Sequence, residues 1–114
     1  MATYVPAELI STKAFGNGAA NISTWRKQNL AGAGTFDIHR TTVIQTPTAA
    51  RTVTLQTGPT AADTTTERIR DAFALSANLP TTLNWWVTVP NNSYFQGFAN
   101  STDINGKSDG YTYS

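Results

Sequence analysis

Three separate segments alternate between apolar and polar residues with a period of two: Phe36–Gln45, Ala50–Thr57 and Leu83–Pro90. In the first, Phe36, Ile38 and Ile44 point one way and His39, Thr41 and Gln45 the other. In the second, Val53 and Leu55 oppose Thr52, Thr54 and Gln56. In the third, Leu83, Trp85, Val87 and Val89 oppose Asn84, Trp86 and Thr88. Side chains of a strand alternate faces, so each segment predicts a strand with one greasy and one wet side. Together they predict an antiparallel sheet with one covered face and one open face rich in hydroxyl and amide groups.

Around this sheet the chain predicts an α+β fold that is mainly β, organised as a single domain over residues 1–114. Residues 4–15 and 19–28 read as the arms of an N-terminal hairpin within residues 1–28, turning at Gly16-Asn17-Gly18. Ala31-Gly32-Ala33-Gly34 reads as a connector into a sheet core over 35–90. Within that core, residues 64–78 are the one good helix candidate. Thr64 and Glu67 have capping-box spacing, and Ile69, Phe73 and Ala77 recur at helical spacing. A long loop between strands is the alternative. Residues 91–114 read as a C-terminal arm, with Tyr94, Phe95 and Phe98 on one short helical turn over the sheet and a Gly/Asp/Ser-rich tail from Asn105. One or two short helices are thus expected to cover the greasy face.

Composition narrows the function classes. The chain has 114 residues, enough for one domain, and only 13% are charged, where soluble domains average about 25%. Low charge with many hydroxyls suits a surface covered by copies of itself. The net charge of +1 is too small to argue for nucleic acid. Its distribution is uneven, net +3 over residues 1–57 and −2 over 58–114, so a phosphate-facing surface is expected to draw on the first half. There is no cysteine, which removes disulfides and thiolate metal sites. No signal-peptide pattern is visible, and no apolar run approaches the roughly 20 residues that span a bilayer.

No catalytic group stands out. His39 is the sole histidine, with Asp37 on the same strand face. A His-based metal cluster is therefore not expected, and the pair reads first as polar sheet residues. No nucleophile motif or paired-carboxylate arrangement appears. The expectation is a non-enzyme with no cofactor, no metal, no membrane and no small-molecule substrate. Trp85-Trp86 places adjacent indoles on opposite faces. One should be core, and the other a subunit contact or a stacking platform for a base or a sugar. Tyr111 and Tyr113 suggest docking onto a neighbour. Arg26 and His39 are expected on the open face, Arg40 and Arg51 at rims, and Arg68 and Arg70 on a solvated helix surface.

Several local patterns resemble the coat proteins of the small single-stranded RNA bacteriophages (levivirus-like). Ser23-Thr24-Trp25-Arg26-Lys27 is similar to a small-aromatic-basic stretch of that family. Leu83-Asn84-Trp85-Trp86-Val87-Thr88-Val89-Pro90 is similar to its strand that ends in proline before the C-terminal region. The resemblance covers about residues 1–100. It implies an intertwined dimer with a continuous sheet, in which helices of each subunit cross over the partner (supplied here by a different cover or by a shifted helix at 64–78), and dimers assembled into an icosahedral shell. It implies single-stranded genomic RNA as partner, with binding of an RNA hairpin as translational repressor. It also implies a virion assembled in the bacterial host cytoplasm. The RNA-facing positions carried over by parity are Arg26, His39, Thr41, Gln45, Thr52, Thr54, Gln56, Trp86 and Thr88. The alternative is a non-enzymatic carbohydrate- or surface-binding β module of a phage structural protein.

Overall fold

The computed structural model describes residues 3–45, 49–61 and 69–114, with the backbone alone at 42–45. Eight strands run in chain order: β1 (Tyr4–Ala14), β2 (Trp25–Gln28), β3 (Phe36–Gln45), β4 (Arg51–Gly58), β5 (Ile69–Leu75), β6 (Thr81–Pro90), β7 (Tyr94–Ala99) and β8 (Asn105–Tyr113). They form two four-stranded antiparallel sheets. The first has the order β1-β8-β3-β6 and the second β2-β7-β4-β5. The mainly β, antiparallel character expected from the alternating segments is present.

The pairings are nested. β4 pairs with β5, β3 with β6, β2 with β7, and β1 with β8. The chain is thus one long hairpin, rolled so that successive strand pairs fall alternately in the second and the first sheet. Two packed sheets with this winding make an eight-stranded double-sheet jelly roll. The core takes side chains from both layers: Ile10, Leu83, Val87 and Val89 from the first, and Trp25, Val53, Leu55, Leu75, Phe95 and Ala99 from the second. Phe15 and Ile104 plug it from the connections.

Trp25 organises this core. Its ring is wholly buried, stacks on Phe15 at 4.5 Å and meets Phe95 edge-on at 5.6 Å. The indole N–H reaches across the sandwich to donate to the Gly106 carbonyl at 3.1 Å, so its one polar group is satisfied. Gly97, opposite Trp25 on β7, makes the close packing possible. A Cβ there would sit 2.6 Å from a Leu55 methyl and 2.8 Å from the Thr54 carbonyl oxygen.

The architecture corrects several expectations. The N-terminal hairpin does not form, because β1 and β2 belong to different sheets. Gly16-Asn17-Gly18 carries the chain between layers, and backbone bonds from Gly18 N–H to the Ala99 carbonyl and from Ala99 N–H to the Gly16 carbonyl clamp it to β7. A 3-10 segment, Ala19–Thr24, follows. Residues 69–75 of the expected helix are strand β5. Ile69 and Phe73 also fit period two, and the ladder to β4 sends Phe73 and Leu75 into the sandwich. Short apolar runs satisfy both periods, and tertiary pairing decides. The capping residues Thr64 and Glu67 lie outside the described residues. The supposed helical turn at 94–98 is strand β7, and the C-terminal arm supplies β8, an inner strand of the first sheet. The second sheet, not helices, covers the first.

The largest correction concerns β3. His39 pairs with Val87 and Ile38 with Thr88, and directly opposed residues share a face. Val87 is core, so His39 is core; Thr88 is outside, so Ile38 is outside. Asp37, His39 and Thr41 are buried while Phe36 and Ile38 look outward. The greasy side of β3 is its outer side.

The packing predicts that Trp25→Ala costs about 3–5 kcal/mol, the usual range for emptying a large core site. Urea unfolding followed by circular dichroism would measure it. A cost below about 1 kcal/mol would contradict a central role for the indole.

Candidate functional site

The buried polar side of β3 needs partners, and the second sheet supplies one. Lys27 Nζ on β2 donates to Asp37 Oδ2 at 2.5 Å, with the lysine side chain about a third exposed and the aspartate almost fully enclosed. The ammonium keeps some contact with water while its stem crosses the layer. Next along β3, His39 Nδ1 lies 2.7 Å from Ser108 Oγ, which is 3.4 Å from the Arg40 carbonyl oxygen. A proton on Nδ1 lets the ring donate to Ser108 and the hydroxyl donate to the carbonyl. Nε2, which has no partner among the described residues, is then left as a bare acceptor near the Phe95 ring, 4.3 Å between centroids. Burial, reinforced by the nearby Lys27 charge, lowers the His39 pKa from 6.5 to about 3. The imidazole is a neutral structural group. Among the described residues no cluster of three or more His, Cys, Asp or Glu side chains is placed to hold a metal.

The outer face of the second sheet is different. One row of paired residues runs Arg26–Gln96–Gln56–Arg70 across β2, β7, β4 and β5. The Arg26 guanidinium lies over the Tyr94 ring at 5.4 Å, and that of Arg70 over Phe98 at 5.7 Å. Stacking on a ring holds an arginine extended along the sheet face. Gln56 and Gln96 between them are buried, and Gln96 Nε2 donates to the Thr60 carbonyl. Thr52 and Thr54 continue the face along β4. The positions that share this face on the four strands include no acid; Asp71, of opposite parity on the edge strand β5, is exposed beside Arg70. Arg51, at the end of β4, is engaged elsewhere: its Nε and Nη2 both donate to the Asp103 carboxylate, at 3.3 and 3.1 Å. That arginine holds the Asp103 carboxyl below its usual pKa.

The outer face of the first sheet is aromatic. Trp86 is 46% exposed and Tyr4 64%. Trp86 and Tyr111 lie nearly parallel, 6.0 Å apart and 23° between planes, while Tyr113 touches both Tyr4 and Phe36. The Arg40 guanidinium rests over Trp86 at 5.1 Å.

The nine residues assigned to one open face therefore separate. Arg26, Thr52, Thr54 and Gln56 point outward from the second sheet. Trp86 and Thr88 point outward from the first, on the other side of the sandwich. His39 and Thr41 lie in the interior, which removes them from any surface. The Gln45 side chain lies outside the described residues. Tyr94, Phe98 and Arg70 join the first group, and period two over 94–99 and 69–75 was the signal that could have found them. No family model matches the chain, and neither the curated proteins nor the solved structures compared with it give a match.

The buried imidazole makes stability depend on pH. Its folded pKa is depressed, so between pH 6.5 and about 3 the unfolded chain binds a proton that the folded chain does not. Stability should fall as pH drops through that window, by up to about 1.4 kcal/mol per pH unit. His39 is the sole histidine, and carboxylates ordinarily titrate lower, so urea midpoints at pH 7 and pH 5 isolate it. His39→Gln should remove most of that slope. Equal wild-type midpoints at both pH values would contradict the buried neutral ring.

Proposed function

We propose that the chain is a self-assembling coat subunit of a single-stranded RNA bacteriophage, with the outer face of β2-β7-β4-β5 turned toward the RNA. The observation that carries the reading is the pair of arginines laid on aromatic rings, Arg26 on Tyr94 and Arg70 on Phe98, on a sheet face whose shared positions include no acid. Single-stranded nucleic acid is held by positive charge that follows the backbone and by ring faces on which bases stack. Thr52 and Thr54 add hydroxyls for exposed base edges. Two arginines give a weak grip per subunit. A shell of many subunits multiplies it by avidity.

Two further features support assembly. Charge is scarce, 13% of 114 residues, as suits a surface largely shared with copies. Among the described residues each sheet also ends in edge strands, β1 and β6 in one and β2 and β5 in the other. Edge strands carry unpaired backbone groups that a second copy can continue. Dimers joined in this way would extend a sheet across the subunit boundary without crossing helices. Eight-stranded jelly rolls are found among viral capsid domains, an analogy of fold.

The recombinant protein should elute from a sizing column as a large particle with a 260/280 nm ratio well above that of protein alone. The double variant Arg26→Ala, Arg70→Ala should still assemble but carry less RNA. For the disassembled subunit binding a single strand, the slope of log K against log salt should fall by about 1.4, some 0.7 for each charge removed. A small, nucleic-acid-free species would end this reading, and unchanged RNA content in the double variant would end the face assignment.

A further inference from the structure

The outer face of the first sheet is built from three rows that cross all four strands. Pairing places Glu8, Asp109, Arg40 and Trp86 in one row, Pro6, Tyr111, Ile38 and Thr88 in the next, and Tyr4, Tyr113, Phe36 and Pro90 in the third. Three adjoining recesses of about 420, 350 and 310 Å³ lie along these rows and share Trp86, Tyr111, Tyr4 and Ile38. They form one trough, aromatic over most of its length and charged at one end. At that end Gly110 keeps the floor open, because a Cβ there would collide with the Ile38 carbonyl oxygen and lie 3.4 Å from the Trp86 ring.

We propose that this trough binds a neutral carbohydrate chain, with Trp86 and Tyr111 as the stacking platform and Glu8, Asp109 and Arg40 as the hydroxyl-binding row. The chemistry of the row selects the ligand. Two carboxylates, Glu8 and Asp109, are balanced by Arg40 and Lys107, so this end has no excess positive charge to hold a phosphate backbone. Asp109 lies 3.6 Å from Lys107 Nζ, and the Glu8 carboxylate accepts from Ser11 Oγ, yet both side chains remain reachable from solvent. Arg40 Nε has no hydrogen-bond partner among the described residues. A purely apolar peptide would strip water from these groups and return nothing. A sugar ring offers a C–H face to the indole and phenol, and hydroxyls that donate to carboxylates and accept from the guanidinium. Ligand sites of this kind are mainly apolar with a few convergent polar groups.

Size argues against a second copy as the occupant. With strands about 4.8 Å apart and a rise of about 3.3 Å per residue, the twelve positions cover roughly 400 Å². A stable protein pair needs about 800 Å² from each partner. A patch of this size is what functional sites on single chains commonly present. The site goes beyond the RNA reading and does not depend on it, since it lies on the opposite layer of the sandwich.

The test is to probe the labelled full chain on arrayed neutral gluco-, manno-, xylo- and galacto-oligosaccharides, alongside Trp86→Ala, Tyr111→Ala, Glu8→Gln and Trp86→Phe. The wild type should bind at least one series. Trp86→Ala and Tyr111→Ala should each weaken it at least tenfold, Glu8→Gln several-fold, and Trp86→Phe should retain part of the affinity. RNA content and thermal midpoint should be unchanged in Trp86→Phe, which separates this site from the RNA face. Three outcomes overturn the proposal. They are no binding to any series, equal binding by the wild type and all four variants, and loss of self-association in Trp86→Phe without sugar binding by the wild type.

Discussion

The register of β3 between β8 and β6 decides what this molecule can present to others. It turns Asp37, His39 and Thr41 inward, and the Lys27–Asp37 pair then joins the two sheets near the start of β3. Removing Lys27 would leave the enclosed Asp37 carboxylate without its cation, the costlier way to break such a pair. A slip of one residue would move every β3 side chain to the other face. It would put Phe36 and Ile38 into the core and leave Lys27 facing no carboxylate. The buried pair and the His39–Ser108 contact therefore act as a register pin, and the aromatic outer face is its consequence.

With β3 pinned, both outer faces follow from the nested winding. Each sheet mixes strands from the two ends of the chain, so neither face belongs to one half of the sequence. Arg26 and Arg70 come from opposite halves yet share one row. Glu8 and Asp109 likewise meet in a row with Arg40. The charge contrast between halves, real along the chain, does not survive as a contrast between surfaces. It is replaced by a contrast between layers: cations on rings outside the second sheet, and rings beside a mixed-charge row outside the first.

This explains which parts of the fold were legible. In β4 and β6 the alternation of Val53 and Leu55, and of Leu83, Val87 and Val89, correctly marks the core side, because nothing competes with hydrophobic burial there. In β3 the same rule points the wrong way, since an ion pair and a hydroxyl partner from distant strands satisfy the polar side inside. No local pattern in Phe36–Gln45 carries that information. β5 was hidden by a run that fits both 3.6 and 2 as periods, and β8 by Gly106, Ser108 and Gly110, which lower strand propensity. Two neighbours account for part of this composition: the Ser108 hydroxyl serves His39, and Gly110 clears the Ile38 carbonyl. For the candidate sites, the individual residues Arg26, Thr52, Thr54, Trp86 and Thr88 were visible as outward positions. Their division between two layers was not, because face assignment within a strand says nothing about which sheet the strand joins.

The same division removes a conflict that a single face would have carried. Trp86 with its neighbouring carboxylates and Arg26 with its acid-free surroundings ask for different partners. Glu8 and Asp109 stand among balancing cations that offer a phosphate no net attraction, whereas the Arg26 face carries positive charge laid on rings. On one sheet the two chemistries would weaken each other. Here a core sealed by Trp25, Phe15 and Phe95 lies between them, and the two chemistries sit on opposite layers of the sandwich.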